Sequence, residues 1–233
     1  MPALPFLTNS TVIKTVLFDL DGTLADTAPD LAFALNQVLI ENGYAPLPFE
    51  VIRPEVSHGG IALIRLGFRI EPEHPDFDPL RQRLLKIYRD NIARETQLFP
   101  GMDELLKHIE QNNMKWGVVT NKPGWLTEPL MEALKLSERA ACIVSGDSCT
   151  NRKPHPEPVL HGCQLAGSEV QQCVYIGDAQ RDIESGQRAG MRTIVALFGY
   201  IGNSDAPHQW QADILLETPG DIVQWLANTN LQS

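Results

Sequence analysis

The sequence lacks any long hydrophobic run. Its longest apolar stretches, such as 15–20 and 194–198, fall far short of the roughly 18 residues that a membrane-spanning helix needs. Residues 1–14 also lack the basic start of a secretory signal, and prolines interrupt their short apolar patch. We therefore expect a soluble, cytoplasmic protein that has no membrane partner.

Cysteine and positive charge are also scarce. The four cysteines show no C-x-x-C spacing and suit a reducing compartment, where lone cysteines act as small buried hydrophobic residues. The 19 Lys and Arg residues are outnumbered by 29 Asp and Glu residues, which gives a net charge of −10. This is the wrong sign for binding a phosphate backbone, so we expect no nucleic-acid partner. Either a monomer or a dimer is compatible with the sequence.

Short apolar runs alternate with amphipathic helical patterns along most of the chain. Each run stops at small or polar residues, as buried strands of a parallel sheet do. Strands that alternate with helices form βαβ crossovers, whose helices cover both faces of the sheet. We therefore predict the α/β class with a doubly wound parallel sheet. The predicted strands are 12–19, 115–120, 141–146, 173–178, 192–197 and, at one edge, 212–217; the predicted helices are 102–111, 125–136, 156–166 and 181–189.

One long segment contains no convincing strand. Between residues 28 and 98 the sequence offers helical patterns at 31–42, 61–68 and 80–95. A Phe-Pro-Gly sequence at 99–101 marks the far end of this segment, because proline and glycine commonly interrupt regular structure. We predict an inserted helical domain at 28–98 and a core domain made of 1–27 and 99–233.

Two aspartates end the first predicted strand. Asp19 and Asp21 stand at alternate positions, so both carboxylates are expected to point the same way. A polar strand end followed by an Asp-Gly turn is the ordinary structural alternative. A calcium-binding loop is excluded, because Leu24 stands where that loop requires glycine and Asp30 where it requires glutamate.

Three further polar clusters follow later strands. They contain Thr120 with Asn121, then Lys153, and then Asp178 with Asp182. Taken singly, they are explained as a helix cap, a solvated lysine and acidic residues at a helix start. Together they fall at one edge of the predicted sheet, where open α/β sheets bind ligands. Carboxylates suit Mg²⁺, whereas lysine and a helix-start hydroxyl suit phosphate, so the set indicates phosphoryl transfer.

The chain resembles the haloacid dehalogenase-like hydrolases. Four motifs occur in order, at 19–24, 120–121, 153–154 and 177–178 with Asp182, and cover nearly the whole chain. Within that superfamily the segment 26–31 and the insert look like phosphoglycolate phosphatases. Segments 56–60, 198–201 and 210–213 are also similar to N-acetylmuramic acid 6-phosphate phosphatases. The resemblance implies a Rossmann-like core with a mobile helical cap.

The resemblance also implies catalytic roles. Asp19 would be the nucleophile that forms an aspartyl-phosphate, and Asp21 would be the general acid and later the general base. Asp21 would hold its proton because it stands beside other carboxylates. Thr120 and Lys153 would hold the oxygens of the transferring phosphoryl group.

A Mg²⁺ cofactor is implied as well. Asp19, the backbone carbonyl of Asp21 and Asp178 would bind it, and Asp182 would assist through water or by orienting Lys153. The expected reaction is hydrolysis of a small phosphomonoester.

Candidate substrate-binding residues lie mainly in the insert. They are Arg53, Ser57, His58 and Gly59, together with Asn121 of the core. A basic loop in the insert could bind a second anionic group, which favours a substrate that carries a carboxylate. We therefore expect 2-phosphoglycolate first, with N-acetylmuramic acid 6-phosphate as the alternative. Arg53 has a simpler alternative, an ion pair with a neighbouring glutamate on the surface.

A different class of protein combines a similar set of residues. A phospho-accepting receiver module also has a strand-end aspartate, an acidic metal site, a threonine and a lysine. The order argues against this alternative, because here the nucleophile ends the first strand and an insert of roughly 70 residues follows.

Overall fold

The computed structural model describes residues 12–202 and 205–231. Most of the segment 1–14, where we expect no secretory signal, lies outside these residues. No helix in the described ranges is long and apolar enough to cross a membrane.

A parallel sheet forms the core, as predicted. The strands are β1 Thr15–Phe18, β2 Ala25–Asp26, β3 Gln97–Leu98, β4 Lys115–Val119, β5 Ile143–Val144, β6 Cys173–Gly177, β7 Arg192–Ala196 and β8 Ile214–Leu216. Six of them form one sheet in the order β5-β4-β1-β6-β7-β8, and every neighbouring pair is parallel. Each predicted strand is present, and each is shorter than predicted. The doubly wound α/β prediction is therefore confirmed.

Helices cover the sheet and fill the insert. They are α1 Ala28–Glu41, α2 Phe49–Ile52, α3 Gly59–Phe68, α4 Phe77–Asp90, α5 Met102–Gln111, α6 Gly124–Ala133, α7 Glu157–Ala166, α8 Gln180–Ala189 and α9 Pro219–Leu231. In the part of the chain that the structure describes, three turns are 3₁₀ helices, at Arg53–His58, Val170–Gln172 and Pro207–Gln209. Helices α2 and α9 and the turn at Arg53–His58 were not predicted.

Both faces of the central strand are buried. Val16 and Phe18 of β1 belong to the larger hydrophobic cluster, which includes residues of α5 and α9. Leu17 points to the opposite face and packs in a second cluster with Val159 and Cys163 of α7. Alternate residues of one strand thus reach opposite layers, which explains why the strand sequence is continuously apolar.

The insert begins and ends at a small antiparallel ladder. Strands β2 and β3 pair with each other, and helices α1 to α4 lie between them in the chain. Helix α4 begins at Phe77 and ends at Asp90, whereas the sequence predicts a helix over 80–95. It ends early because the chain turns at 91–95 to reach β3. Asp30 of α1 stabilises this return, because its buried carboxylate accepts hydrogen bonds from Glu95 N and Thr96 N. The division into a core and a domain at 28–98 stays a prediction.

Candidate active site

The predicted strand-end residues meet at the carboxyl edge of β1, β4 and β6. Lys153 is fully buried, and its Nζ lies 2.9 Å from Asp19 Oδ1 and 2.8 Å from Asp182 Oδ1. The same ammonium donates hydrogen bonds to Val119 O and to the hydroxyl of Tyr175. A lysine this deeply buried needs such partners, since an unpaired buried charge is costly.

Asn121 holds the backbone of Lys153. Its Oδ1 accepts a 3.0 Å hydrogen bond from Lys153 N, and its Nδ2 donates a 3.0 Å hydrogen bond to Lys153 O. The side chain that we predicted to bind substrate therefore positions Lys153 in this structure. Thr120, directly before it, is buried, and its hydroxyl accepts a hydrogen bond from Lys122 N.

Three carboxylates form a compact acidic cluster. Asp19, Asp178 and Asp182 are buried, and each offers an oxygen within 4.8 Å of the others. Burial and the charges of Asp19 and Asp182 raise the pKa of Asp178 to about 7. Burial also opposes ionisation of Asp19, but Lys153 and Arg181 together hold its pKa below the ordinary value. Burial raises the pKa of Asp182 against the opposing effect of Lys153.

This cluster fits a divalent metal ion. Its donors are hard carboxylate oxygens, which suit Mg²⁺ and similar cations. The buried Oδ1 of Asp182 lies beside Lys153 but accepts no hydrogen bond of standard geometry. Neighbouring buried carboxylates raise one another's pKa, and a cation bound between them would stabilise their ionised forms.

Two glycines and a tyrosine hold Asp178 in place. Gly22 has a φ of +84°, and a Cβ atom at Gly22 or Gly199 would collide with the Asp178 side chain. Tyr200 N donates a 2.8 Å hydrogen bond to Asp178 Oδ2. The Tyr200 hydroxyl donates to Asp26 Oδ1 at 2.7 Å, which connects the segment after β7 to the start of the insert.

The carboxylate of Asp21 has a cation as its neighbour. Its Oδ1 lies 2.8 Å from Lys122 Nζ and accepts a 2.6 Å hydrogen bond from the hydroxyl of Thr27. The expectation that Asp21 stands beside other carboxylates is therefore wrong for its nearest neighbours. Sequence reasoning missed Lys122, although it directly follows the motif at 120–121.

Residues of the insert reach the acidic cluster. Ser57 Oγ donates a 2.8 Å hydrogen bond to Asp178 Oδ2, and Arg181 Nη2 donates a 2.7 Å hydrogen bond to Ser57 O. Gly59 ends the 3₁₀ turn with a φ of +75°. A pocket of about 330 Å³ lies at this junction; its lining residues include Ser57, His58, Asp178, Arg181, Glu184 and Tyr200.

Arg53 contacts the core instead of a surface glutamate. Its Nη1 donates a 3.2 Å hydrogen bond to Gly199 O, and its guanidinium lies 4.8 Å from the centre of the Tyr200 ring. Within the described residues it forms no ion pair with Glu50 or Glu55. Arg53 thus joins the insert to the segment that positions Asp178.

Comparison with known proteins identifies the family. Residues 16–196 match the family model of the haloacid dehalogenase-like hydrolases. The chain belongs to this family.

The relatives of this haloacid dehalogenase-like hydrolase include phosphatases with two substrate names. The N-acetylmuramic acid 6-phosphate phosphatase of Pseudomonas putida is 41% identical over 90% of this chain and 94% of that protein. A phosphoglycolate phosphatase of Xanthomonas campestris is 40% identical over the same shares of the two chains. A crystal structure described as a predicted phosphoglycolate phosphatase from Haemophilus somnus superposes with a TM-score of 0.81. It is 25% identical and covers 92% of this chain and 98% of its own.

The haloacid dehalogenase-like chain is a phosphatase, that is, a phosphoric monoester hydrolase. This finding overturns the alternative of a receiver module, because the match extends across the first strand, the insert and the last motif. The identities of 41% and 40% are too similar to choose between the two substrate names.

Metal binding to this hydrolase is expected to depend on pH. The Asp178 carboxylate, whose pKa is raised to about 7, is protonated below that pH in the metal-free protein. A cation must then displace the proton, so the apparent metal affinity should fall by up to about tenfold per pH unit below this pKa. Calorimetric titration of the metal-free protein from about pH 8 to about pH 5.5 measures this change.

A histidine control separates the acidic cluster from the histidine of the same pocket. His58 lines the same pocket, so a variant without its imidazole serves as the control. The variant His58→Gln should show the same pH dependence of metal affinity as the parent protein. An affinity that stays constant over this range, or a dependence that His58→Gln removes, would contradict the role of Asp178.

Proposed function

We propose that this phosphatase hydrolyses a small, carboxylate-bearing phosphomonoester with Mg²⁺ through an aspartyl-phosphate on Asp19. The observation that carries this proposal is the pair of aspartates after β1. Asp19 is buried and kept ionised by Lys153 at 2.9 Å, whereas Asp21 lies separately beside Lys122 and Thr27. Two carboxylates in different surroundings suit a nucleophile and an acid–base group.

The proposed reaction has two steps. Asp19 Oδ attacks phosphorus, the bond from phosphorus to the leaving oxygen breaks, and Asp21 donates a proton to that oxygen. Asp21 then removes a proton from water, which attacks the aspartyl-phosphate and releases inorganic phosphate and free Asp19. Thr120 and Lys153 are proposed to hold the phosphoryl oxygens while charge redistributes in each step.

The proposed Mg²⁺ site uses the acidic cluster. Asp19 and Asp178 would supply carboxylate oxygens, Asp21 would supply its backbone carbonyl, and Asp182 would assist through water or by orienting Lys153. A bound Mg²⁺ neutralises phosphate charge that would otherwise face several carboxylates. Hydrogen bonds from Tyr200 N and Ser57 Oγ to Asp178 Oδ2 restrict the orientation of this carboxylate, which supports such a role.

The insert supports a small substrate. Ser57 and Arg181 join the insert to the core directly beside the acidic cluster, so residues 28–98 would act as a cap that excludes macromolecules. A cytoplasmic location and a monomeric or dimeric state stay predictions.

Two substrates satisfy the carboxylate requirement. 2-Phosphoglycolate is the first candidate, supported by the relative from X. campestris and the similar crystal structure. N-acetylmuramic acid 6-phosphate is the second, supported by the relatives from P. putida and Pseudomonas aeruginosa.

A phosphate-release panel tests the substrate class. We expect a higher kcat/KM for 2-phosphoglycolate or N-acetylmuramic acid 6-phosphate than for neutral phosphoesters of matched size. The matched compounds are 2-hydroxyethyl phosphate and N-acetylglucosamine 6-phosphate, each assayed with Mg²⁺ and with excess chelator. Equal rates for acidic and neutral esters would reject the substrate class, and full activity with chelator would reject the metal.

A further inference from the structure

A lysine, an aspartate and a tyrosine meet under the insert, outside the acidic cluster. Lys122 Nζ lies 2.8 Å from Asp21 Oδ1 and 4.5 Å from the centre of the Tyr88 ring. Tyr88 belongs to α4 of the insert, whereas Lys122 follows β4 of the core. The lysine side chain is only 6% exposed, and the tyrosine is fully buried. A cation and a phenol are thus held together where the insert covers the core.

Lys122 and Tyr88 can donate more hydrogen bonds than the structure shows them making. An ammonium group can donate three hydrogen bonds, and within the described residues Lys122 Nζ makes one of standard geometry, to Asp21. The Tyr88 hydroxyl is buried and makes no hydrogen bond of standard geometry with those residues. Buried polar groups are nearly always paired, so these donors are suited to a polar ligand.

Both donors keep their protons at neutral pH. Burial raises the pKa of Tyr88 to about 12, despite the opposing charge of Lys122. The charge of Asp21 raises the pKa of Lys122 above its ordinary value, against the effect of burial. A neutral phenol and an ammonium group both donate hydrogen bonds, which matches an anion and not a cation.

The position of Asp21 indicates which part of a substrate would lie near Lys122 and Tyr88. In the proposed function, Asp21 protonates the oxygen of the leaving group. The carbon skeleton attached to that oxygen must therefore lie beside Asp21, and hence near Lys122 and Tyr88. Elsewhere in the described residues, the buried Lys153 and the half-buried Arg181 lie beside the acidic cluster and are available to the phosphoryl end.

We propose that Lys122 and Tyr88 bind the carboxylate of the substrate's leaving group and thereby select carboxylate-bearing phosphoesters. This inference rests on the proposed phosphatase function. Lys122 would lie between the substrate carboxylate and the Asp21 side chain, with one ammonium N–H donated to each. The sequence predicts that Arg53, Ser57, His58 and Gly59 of the insert bind the substrate, but Arg53 is already engaged with Gly199 and Tyr200.

The variant Lys122→Met tests the selection directly. It removes the charge and keeps a similar length, so kcat/KM for the carboxylate-bearing ester should fall by about 10- to 100-fold more than for its neutral match. The pairs are 2-phosphoglycolate with 2-hydroxyethyl phosphate, and N-acetylmuramic acid 6-phosphate with N-acetylglucosamine 6-phosphate. Lys86→Met, at an exposed lysine of the same helix as Tyr88, is the matched control and should leave both rates unchanged.

Tyr88→Phe provides a second test in case Lys122→Met fails to fold. This substitution removes one oxygen from a fully buried ring. The ratio of kcat/KM for the acidic ester to that for its neutral match should fall by about 3- to 10-fold. Tyr44→Phe, at an exposed tyrosine of the insert, is its matched control. Circular dichroism and the thermal midpoint confirm that each variant is folded before its rates are compared.

Three results would overturn the inference. Equal losses for acidic and neutral esters in Lys122→Met would mean that Lys122 only positions Asp21. An unchanged preference in both folded variants would mean that neither residue contacts the carboxylate. A parent enzyme that releases phosphate without preferring the carboxylate would reject the proposed substrate class, and this inference with it, before any variant is made.

Discussion

Replacing Asp19 by Asn is expected to abolish turnover while the protein stays folded. The carboxylate at the end of β1 is ionised because Lys153 and Arg181 hold its pKa below the ordinary value despite its burial. An amide of nearly the same size lacks the nucleophilic oxygen, so no phosphoenzyme can form. Loss of a nucleophile commonly costs about 10⁴ to 10⁶ in rate, and we expect kcat to fall by at least the lower figure. Phosphate release with the preferred ester measures it.

A matched substitution separates chemistry from stability. Asp78→Asn makes the same change at an exposed position of the insert and should leave kcat unaltered. Circular dichroism and thermal unfolding should show both variants folded. If Asp19→Asn retained more than a small percentage of the parent rate, another group would be the nucleophile and the proposed mechanism would fail.

The sheet could be predicted from sequence because its strands are buried on both faces. A run such as the one containing β1 is continuously apolar and ends at Asp19, so both its type and its functional end are visible. Strands β2 and β3 contain two residues each and show no periodicity that could reveal them. Their pairing depends on where α1 and α4 place the two ends of the insert, which is a property of the folded chain.

Some residues of the site are likewise visible in the sequence, whereas others are brought there only by the folded chain. Asp19, Lys153 and Asp182 were predicted because each follows a recognisable strand or motif, and the parallel sheet brings those ends together. Tyr88 stands within a long helix and carries no local signal of function; only tertiary packing places it beside Lys122. Tyr200 likewise reaches Asp178 from a segment separated by 22 residues.

Arg181 illustrates a signal that was present in the sequence but not used. It lies between Asp178 and Asp182 in the last motif, where a helix start ordinarily favours acidic residues. In the structure its charge lowers the pKa of Asp19, and its guanidinium donates to Ser57 O of the insert. A basic residue among acids at a strand end can therefore be expected to balance buried charge.

Asp21→Asn should separate the two chemical steps of the proposed reaction. Asn cannot protonate a leaving oxygen, so esters of poor leaving groups should slow by about 10² to 10⁴, the usual contribution of general acid catalysis. p-Nitrophenyl phosphate needs no such proton and should still phosphorylate Asp19. The following hydrolysis lacks its general base, so the phosphoenzyme should accumulate and be visible as a mass increase of one phosphoryl group.

The contacts of Asp21 also define the control for this experiment. Its Oδ1 binds Lys122 Nζ and the Thr27 hydroxyl, so Thr27→Val weakens its orientation without removing the carboxyl group. That variant should lose rate with poor leaving groups but accumulate no phosphoenzyme, because a base is still present. Double variants carrying Asp19→Asn should show no mass increase at all. Equal losses for good and poor leaving groups in Asp21→Asn, without a trapped adduct, would contradict the acid–base role, because a residue that only shapes the site would slow both classes of ester alike.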